Sequence, residues 1–275
     1  MLFRIPFKLL WLIPLVLAAV IQITVPSARG QQEPQPSCSS ALGQATAREV
    51  RELGSELEIL SWNIQKASNA GWAEDLVSFS DGVDLAFIQE ASLQALIPDV
   101  IPADLHSVFA AGYTSASQET GVMTLSAGSP SSNCKLTSIE PWLRTPKATS
   151  ITEYTLQDRE DRLLAINLHA VNFDLGMASF RAQLQALEGV LAKHLGPVIL
   201  AGDLNTWSES RQAAVDDFLR LHGLGSISFE PDLRTTAFGR ALDHIYVRGI
   251  SAKHARVIPV TSSDHNPLRV RLNIQ

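Results

Sequence analysis

The chain is poor in cysteine, in charge and in positive charge above all. Only Cys38 and Cys134 occur in 275 residues, far apart and each without a second cysteine nearby, which excludes a thiolate metal cluster. Charged residues make up 18% and apolar residues 45%, which excludes a disordered, collagen-like or coiled-coil chain. No internal repeat is visible. Formal net charge is -6, and the first thirty residues carry Arg4, Lys8 and Arg29 without an acid. The rest therefore holds 19 lysines and arginines against 28 acids, a net of -9. A generic basic footprint for nucleic acid is absent. A metal-dependent phosphodiesterase is not excluded, because a bound cation supplies local positive charge.

What the N-terminus does have is an apolar run, Leu9 to Val25, interrupted only by Pro14, Gln22 and Thr24 and preceded by Arg4 and Lys8. Basic residues before an apolar stretch form the layout of an export signal. At about seventeen residues the run stands at the lower edge of what crosses a bilayer. Residues 1–30 are expected to be a signal peptide or a retained membrane anchor. Positive residues stay inside, so the rest is expected in the periplasm or secreted, with membrane contact through residues 9–25 if the anchor is kept. Residues 31–55, rich at first in Gln, Pro and Ser, read as a linker, with a short surface helix within Ala41 to Leu53. In an oxidising compartment Cys38 and Cys134 either pair as a disulfide or remain two thiols.

Residues 56–275 suit one domain with a substantial core. Leu57 to Asn63 alternates as a strand does. Asp84–Gln89, Leu163–Leu168, Pro197–Ala201, Ile245–Val247 and Leu268–Leu272 are short apolar runs of strand length. Met177, Phe180, Leu184, Leu187, Leu191 and Leu195 recur at helical steps. A second helix carries Val215, Phe218 and Leu219, with Ser208 or Ser210 as N-cap. Strands mixed with helices imply a layered α/β domain.

Four of these apolar runs lead into Asn, Asp, Glu or His: Asn63, Glu90, Asn167 with His169, and Asp203 with Asn205; in a fifth case Asp264 and His265 follow Pro259-Val260 and precede another strand. Strand ends on one edge can converge on one site. Oxygen donors suit a hard cation such as Mg2+ or Mn2+, and histidines beside them suit proton transfer or contact with a phosphoryl oxygen.

The motifs Ser61-Trp62-Asn63-Ile64-Gln65, Ile88-Gln89-Glu90, Asn167-Leu168-His169, Gly202-Asp203-Leu204-Asn205, Leu242-Asp243-His244-Ile245 and Ser263-Asp264-His265-Asn266-Pro267 stand in this order. Together they make the chain resemble the endonuclease/exonuclease/phosphatase superfamily over Leu57 to Leu272, in particular a small bacterial branch with a segment like Gly121 to Ser126. The resemblance implies a four-layered α/β sandwich with two packed mixed β-sheets flanked by helices. It implies metal ligands at Asn63, Glu90 and Asp264. It also implies Asp203 and Asn205 at the reaction centre, orienting the water or a phosphoryl oxygen. His265 would be general base or phosphate contact, oriented by Asp243. His169 would donate to a phosphate oxygen and be oriented in turn by Glu119. The implied activity is metal-dependent phosphoester hydrolysis by a monomer, with water activated by the His–Asp pair.

The substrate is left open: nucleic acid, a phospholipid headgroup or a small phosphodiester. Ser92 stands where pancreatic-type nucleases carry an arginine. Arg144, Lys147, Arg181 and Arg240 are the candidates for a basic rim that a nucleic acid would need. The alternative from another class is a non-catalytic envelope protein that kept the fold for binding.

Overall fold

Along β1 (Glu56–Asn63), Leu57 and Ile59 point to one side and Leu60 and Trp62 to the other, and all four are buried. A strand apolar on both faces needs a layer on each side. A computed structural model of the chain, which describes residues 38–43, 51–174 and 176–275, supplies both layers. The expected signal or anchor and most of the expected linker lie outside the described residues.

The chain continues through β2 (Leu85–Ser92), β3 (His106–Thr114), β4 (Glu119–Ser126), β5 (Ser132–Ile139), β6 (Pro146–Thr155), β7 (Arg162–His169) and β8 (Val198–Asp203). Then come β9 (Gly225–Ser226), β10 (Thr236–Ala237), β11 (Arg240–Ala241), β12 (Asp243–Arg248), β13 (Ile250–Val257) and β14 (Leu268–Ile274). The helices are α1 (Cys38–Ala41), α2 (Trp72–Ser80), α3 (Ile97–Val100), α4 (Ala178–Leu191) and α5 (Glu209–His222). One six-stranded sheet has the order β13-β14-β1-β2-β4-β3 and the other β5-β6-β7-β8-β12-β9. Each is mixed, with one parallel pair inside it: β1 with β2, and β7 with β8.

Three large apolar clusters define the layers. Leu57, Ile59 and Phe87 of one sheet meet Leu163, Ala165 and Ile199 of the other. Leu60, Trp62 and Ile88 pack outward with Leu76 of α2. Leu164, Ile166 and Leu200 pack outward on Phe180 and Leu187 of α4 and Phe218 of α5. Helix, sheet, sheet, helix is the expected four-layered sandwich. Between the sheets, Gln89 Nε2 donates to Asn167 Oδ1 at 2.8 Å, and Asn167 Nδ2 donates to the Met123 carbonyl at 3.0 Å. This buried polar pair fixes the register of one sheet on the other, because a slip would strand its donors away from water.

One boundary differs from expectation. The stripe to Leu195 overshoots, since α4 ends at Leu191 and Leu195 is exposed; Gly196-Pro197 cannot prolong a helix. Most of the short helix expected within Ala41 to Leu53 lies outside the described residues; at the end of that range Leu53 is buried in a bridge to Leu156. Packing thus begins before Glu56. Cys38 and Cys134 are bonded, across a sequence separation of 96, a closure that typically contributes about 2–4 kcal/mol.

Glu153 holds the same region. Its carboxylate accepts from Gly43 N–H at 2.7 Å and Ser132 Oγ at 2.8 Å, with Arg162 at 3.4 Å and His194 at 3.7 Å. Burial alone would raise its pKa, but these donors hold it down at about 2. A depressed carboxylate stabilises the fold above its unfolded value and loses that contribution as pH falls from about 4.5 to about 2. The stake is on the order of 3 kcal/mol. Glu153→Gln is therefore expected to lower Tm at pH 7 and to flatten the fall of Tm below pH 4.5, as thermal melts across pH 2–7 would show.

Candidate active site

Strand parity decides which polar residues meet. Positions 57, 59, 61 and 63 of β1 share the inner face, as do 163, 165, 167 and 169 of β7, 199, 201 and 203 of β8, and 243 and 245 of β12. Apolar members of these series fill the core between the sheets. Their last or first polar members, Asn63, His169, Asp203 and Asp243, reach the edge where the sheets part. Register completes the alignment, with His169 beside Asp203 in the parallel pair and Asp243 opposite Asp203 in the antiparallel one. Gly202 is required here. Its φ is 144°, and a Cβ would stand 2.0 Å from the Leu168 carbonyl oxygen, a conformation and a gap that only glycine tolerates.

Asp203 is the centre of the site and is 3% exposed. Its Oδ2 accepts from Asn63 Nδ2 at 3.1 Å and its Oδ1 from the Asn205 N–H at 3.0 Å. His169 Nε2 lies 3.6 Å and His265 Nε2 3.9 Å from Oδ2. Burial, then the neighbouring Asp243 charge, push the Asp203 carboxyl up to about 6. His265 Nδ1 and Asp243 Oδ2 are 2.7 Å apart, which orients the imidazole with Nε2 toward Asp203. Burial alone would lower the His265 pKa, but Asp243, Asp203 and Asp264 together raise it to about 10. The imidazolium is therefore the form held at neutral pH. The backbone around it is pinned: Trp62 Nε1 donates to the His265 carbonyl at 2.9 Å, and Ser263 Oγ donates to the Asn63 carbonyl at 2.6 Å.

The cleft above these groups has a volume of about 580 Å³ and is also lined by Glu90, Asn205 and Asp264. Of the nine expected site residues, eight line it or, as Asp243 does, contact one that does. Glu119 is the exception. It begins β4 opposite Thr114, its N–H donates to Gln94 Oε1, and it is not among the residues lining the cleft. The partner His169 has instead is Lys147, whose Nζ is 3.0 Å from Nε2. An ammonium only donates, so Nε2 accepts and the imidazole is neutral. Burial, then the Lys147 charge, push the His169 pKa well down.

Lys147 is also 3.9 Å from the buried Glu140. It is the one member of the expected basic rim that lines the cleft, with Arg144 in the adjoining loop. Arg181 belongs to a surface dent between α4 and α5, and Arg240 to β11. Another residue, Arg211 of α5, carried no sequence signal beyond its place on a helix. Its buried guanidinium donates to the Val171, Asn172 and Asn205 carbonyls and sits over Phe180 and Trp207. It thereby ties the segment after His169 to the loop that carries Asn205.

Comparison with known proteins agrees with this fold. Residues 60–265 match the Endonuclease/Exonuclease/phosphatase family. The chain belongs to that family. A UPF0294 protein of Vibrio cholerae serotype O1 is 36% identical, with 97% of this chain and 99% of that protein covered. Another UPF0294 protein, from Klebsiella pneumoniae, is 38% identical over 79% of this chain and 82% of its own length. Among solved structures, an endonuclease/exonuclease/phosphatase of Beutenbergia cavernae superposes with TM-score 0.63 at 14% identity, covering 80% of this chain and 72% of that one. The human Nocturnin catalytic domain superposes with TM-score 0.60 at 16% identity, covering 83% and 98%.

Members of this endonuclease/exonuclease/phosphatase family generally hydrolyse phosphoester bonds with metals, and the donors here fit a hard divalent cation. Glu90, at the irregularity of β2, faces the cleft. Its oxygens lie 3.5 Å from Lys66 and 3.9 Å from His169, beyond hydrogen-bond length. Its lone pairs remain available to a ligand. Asn63 and Asp264 add oxygen donors to the same cleft. Asp203, Asp243 and His265 also bring ligand atoms within 4.8 Å of one another, though the 2.7 Å contact uses one pair of them.

Proposed function

We propose that the chain is an exported phosphodiesterase that hydrolyses its substrate by attack of water on phosphorus, as a monomer, with Mg2+ or Mn2+. The observation that carries this reading is the Asp203 carboxylate, set by two asparagines between two histidines at the base of an open cleft. Asn63, Glu90 and Asp264 would hold the cation, which when bound neutralises charge on phosphoryl and leaving oxygens.

Asp203, raised to about 6, is the base matched to neutral pH. It takes a proton from the attacking water as the new P–O bond forms and the P–O bond to the leaving group breaks. His265, kept protonated by Asp243, donates from Nε2 to a phosphoryl oxygen, where developing charge is best met by a fixed donor. Lys147 adds positive charge on the His169 side. The reading in which His265 itself activates the water requires that imidazole to lose its proton first, against three carboxylates.

Export is supported by the basic-then-apolar N-terminus and by the Cys38–Cys134 disulfide, a bond that persists in oxidising compartments. Among the described residues no helix is long and apolar enough to cross a membrane.

The test is release of p-nitrophenol from bis-p-nitrophenyl phosphate. Activity is expected with Mg2+ or Mn2+ and is expected to disappear in excess EDTA with the fold intact by circular dichroism. Full activity in EDTA would contradict the metal assignment; no activity under any condition would favour a protein that only binds.

A further inference from the structure

The mouth of the cleft is apolar where a polyanion-binding site would be basic. Trp142 and Leu143, between β5 and β6, are 68% and 59% exposed; Phe173, after β7, is 57% exposed, and Phe238, between β10 and β11, is 89% exposed. They belong to one arc. Glu140 Oε1 accepts from the Asn172 N–H at 2.8 Å, joining the Trp142 turn to the Phe173 segment. Trp207 Nε1 donates to Asn172 Oδ1 at 3.0 Å, and the Trp207 ring lies 6.0 Å from Phe238. Leu143 and Phe173 line the cleft itself. Large apolar side chains held in water around a site mark a surface that is covered when the site is used.

Two observations name the cover. The first is charge. Lys66 and Lys147 are the two lysines lining the cleft, against Glu90, Glu140, Asp203 and Asp264. Each lysine already faces a carboxylate. A single-stranded nucleic acid needs a cationic groove along its backbone as well as aromatic platforms; this rim offers the platforms, with only Arg144 after Leu143 and Arg240 near Phe238 as isolated further cations. The second is attachment. The apolar run ends at Val25, and only residues 26–37 separate it from Cys38, a span of at most about 40 Å. Cys38 is bonded to Cys134 of β5, the strand whose far end, Ile139, leads into Trp142. Were the apolar run kept as an anchor, its point of attachment and the apolar turn would share one edge strand, roughly 17 Å apart.

We propose that this apolar arc docks on a zwitterionic phospholipid bilayer and presents the phosphodiester of a membrane lipid to the cleft. The inference rests on the phosphodiesterase reading above and gives it a substrate class. Trp and Phe side chains favour the headgroup boundary of a bilayer. A domain with net charge near -9 is repelled by anionic surfaces, so added anionic lipid should weaken the contact.

The experiment uses the full chain in phosphatidylethanolamine/phosphatidylcholine vesicles and the double variant Trp142→Glu/Phe238→Glu, neither residue being part of the catalytic set. Bis-p-nitrophenyl phosphate turnover is expected to be unchanged, which also reports a folded protein, while vesicle-lipid hydrolysis falls about tenfold or more. Brominated lipid is expected to quench wild-type fluorescence more than that of Trp142→Phe. Equal lipid hydrolysis by wild type and double variant would overturn the proposal. So would loss of single-stranded DNA cleavage in the double variant with lipid hydrolysis unaffected, which would make the arc a base-stacking surface. If the wild type cleaves no ester, the phosphodiesterase reading fails by itself. Trp142-dependent quenching then still supports docking, and its absence overturns it.

Discussion

Asp203→Asn is expected to lower phosphodiester turnover by about two to four orders of magnitude while Tm stays level or rises. The substitution keeps shape but removes the carboxylate proposed to take a proton from water, and loss of a positioned base typically costs 10²–10⁴-fold, roughly. The stability effect runs the other way. Burial and Asp243 raise the Asp203 carboxyl to about 6. A carboxyl whose folded pKa exceeds its unfolded one costs stability once pH climbs past the unfolded value, here on the order of 2–3 kcal/mol at neutral pH. The amide carries no such cost, although its NH2 replaces one acceptor oxygen and gives up the bond from Asn63 or Asn205, which offsets part of the gain. Activity lost and stability kept is the pattern of a group retained for chemistry. Wild-type kcat/KM should rise through an acidic limb at or below about pH 6, lower when a divalent cation adds positive charge, and the variant should lack that limb. Steady-state rates across pH 4–10 with parallel melts check both halves.

His265→Ala is expected to lower turnover by about 10²–10³-fold, the usual effect of removing one donor to a charge-bearing oxygen. The imidazolium exists because Asp243 sits 2.7 Å away and Asp203 and Asp264 add their charges. Activity that needs the protonated form falls as pH rises toward about 10, or lower with a cation bound, and His265→Ala should abolish that basic limb. Asp243→Asn removes the nearest carboxylate, so the limb should move to lower pH. Were His265 the base, wild-type activity would instead climb through that same region and the limb would change sign.

Both residues were legible in the sequence as cleft positions: Asp203 ends an apolar run in phase with Ile199 and Ala201, whereas His265 lies outside any strand and was carried by the Ser263-Asp264-His265-Asn266-Pro267 motif. Asn63 is likewise in phase with Ile59, and His169 with Ala165, each at the end of an inner-face core series. The Cys38–Cys134 bond remained open because pairing needs proximity that a 96-residue separation does not reveal. The sheets' outer strands were not legible. In β5 exposed and half-buried residues alternate with little apolar content, since that strand is an edge. Glu119 was misplaced because its chain position, at the start of β4, says nothing of which way the strand start faces. Lys147 was recognised as basic but not as the partner of His169, because that contact depends on the pairing of β6 with β7. Arg211 was hidden because a buried arginine on an amphipathic helix reads as a surface charge until the carbonyls it serves are seen.

Water attack on phosphorus, within a cleft built around Asp203, is the central claim. Hydrolysis of bis-p-nitrophenyl phosphate in H2(18)O, followed by mass spectrometry of both products, tests it most directly. The label is expected in p-nitrophenyl phosphate, one oxygen per turnover, with none in p-nitrophenol and with the rate collapsing in Asp203→Asn. Label in p-nitrophenol, or labelled phosphate ester formed equally well by Asp203→Asn, would contradict the account.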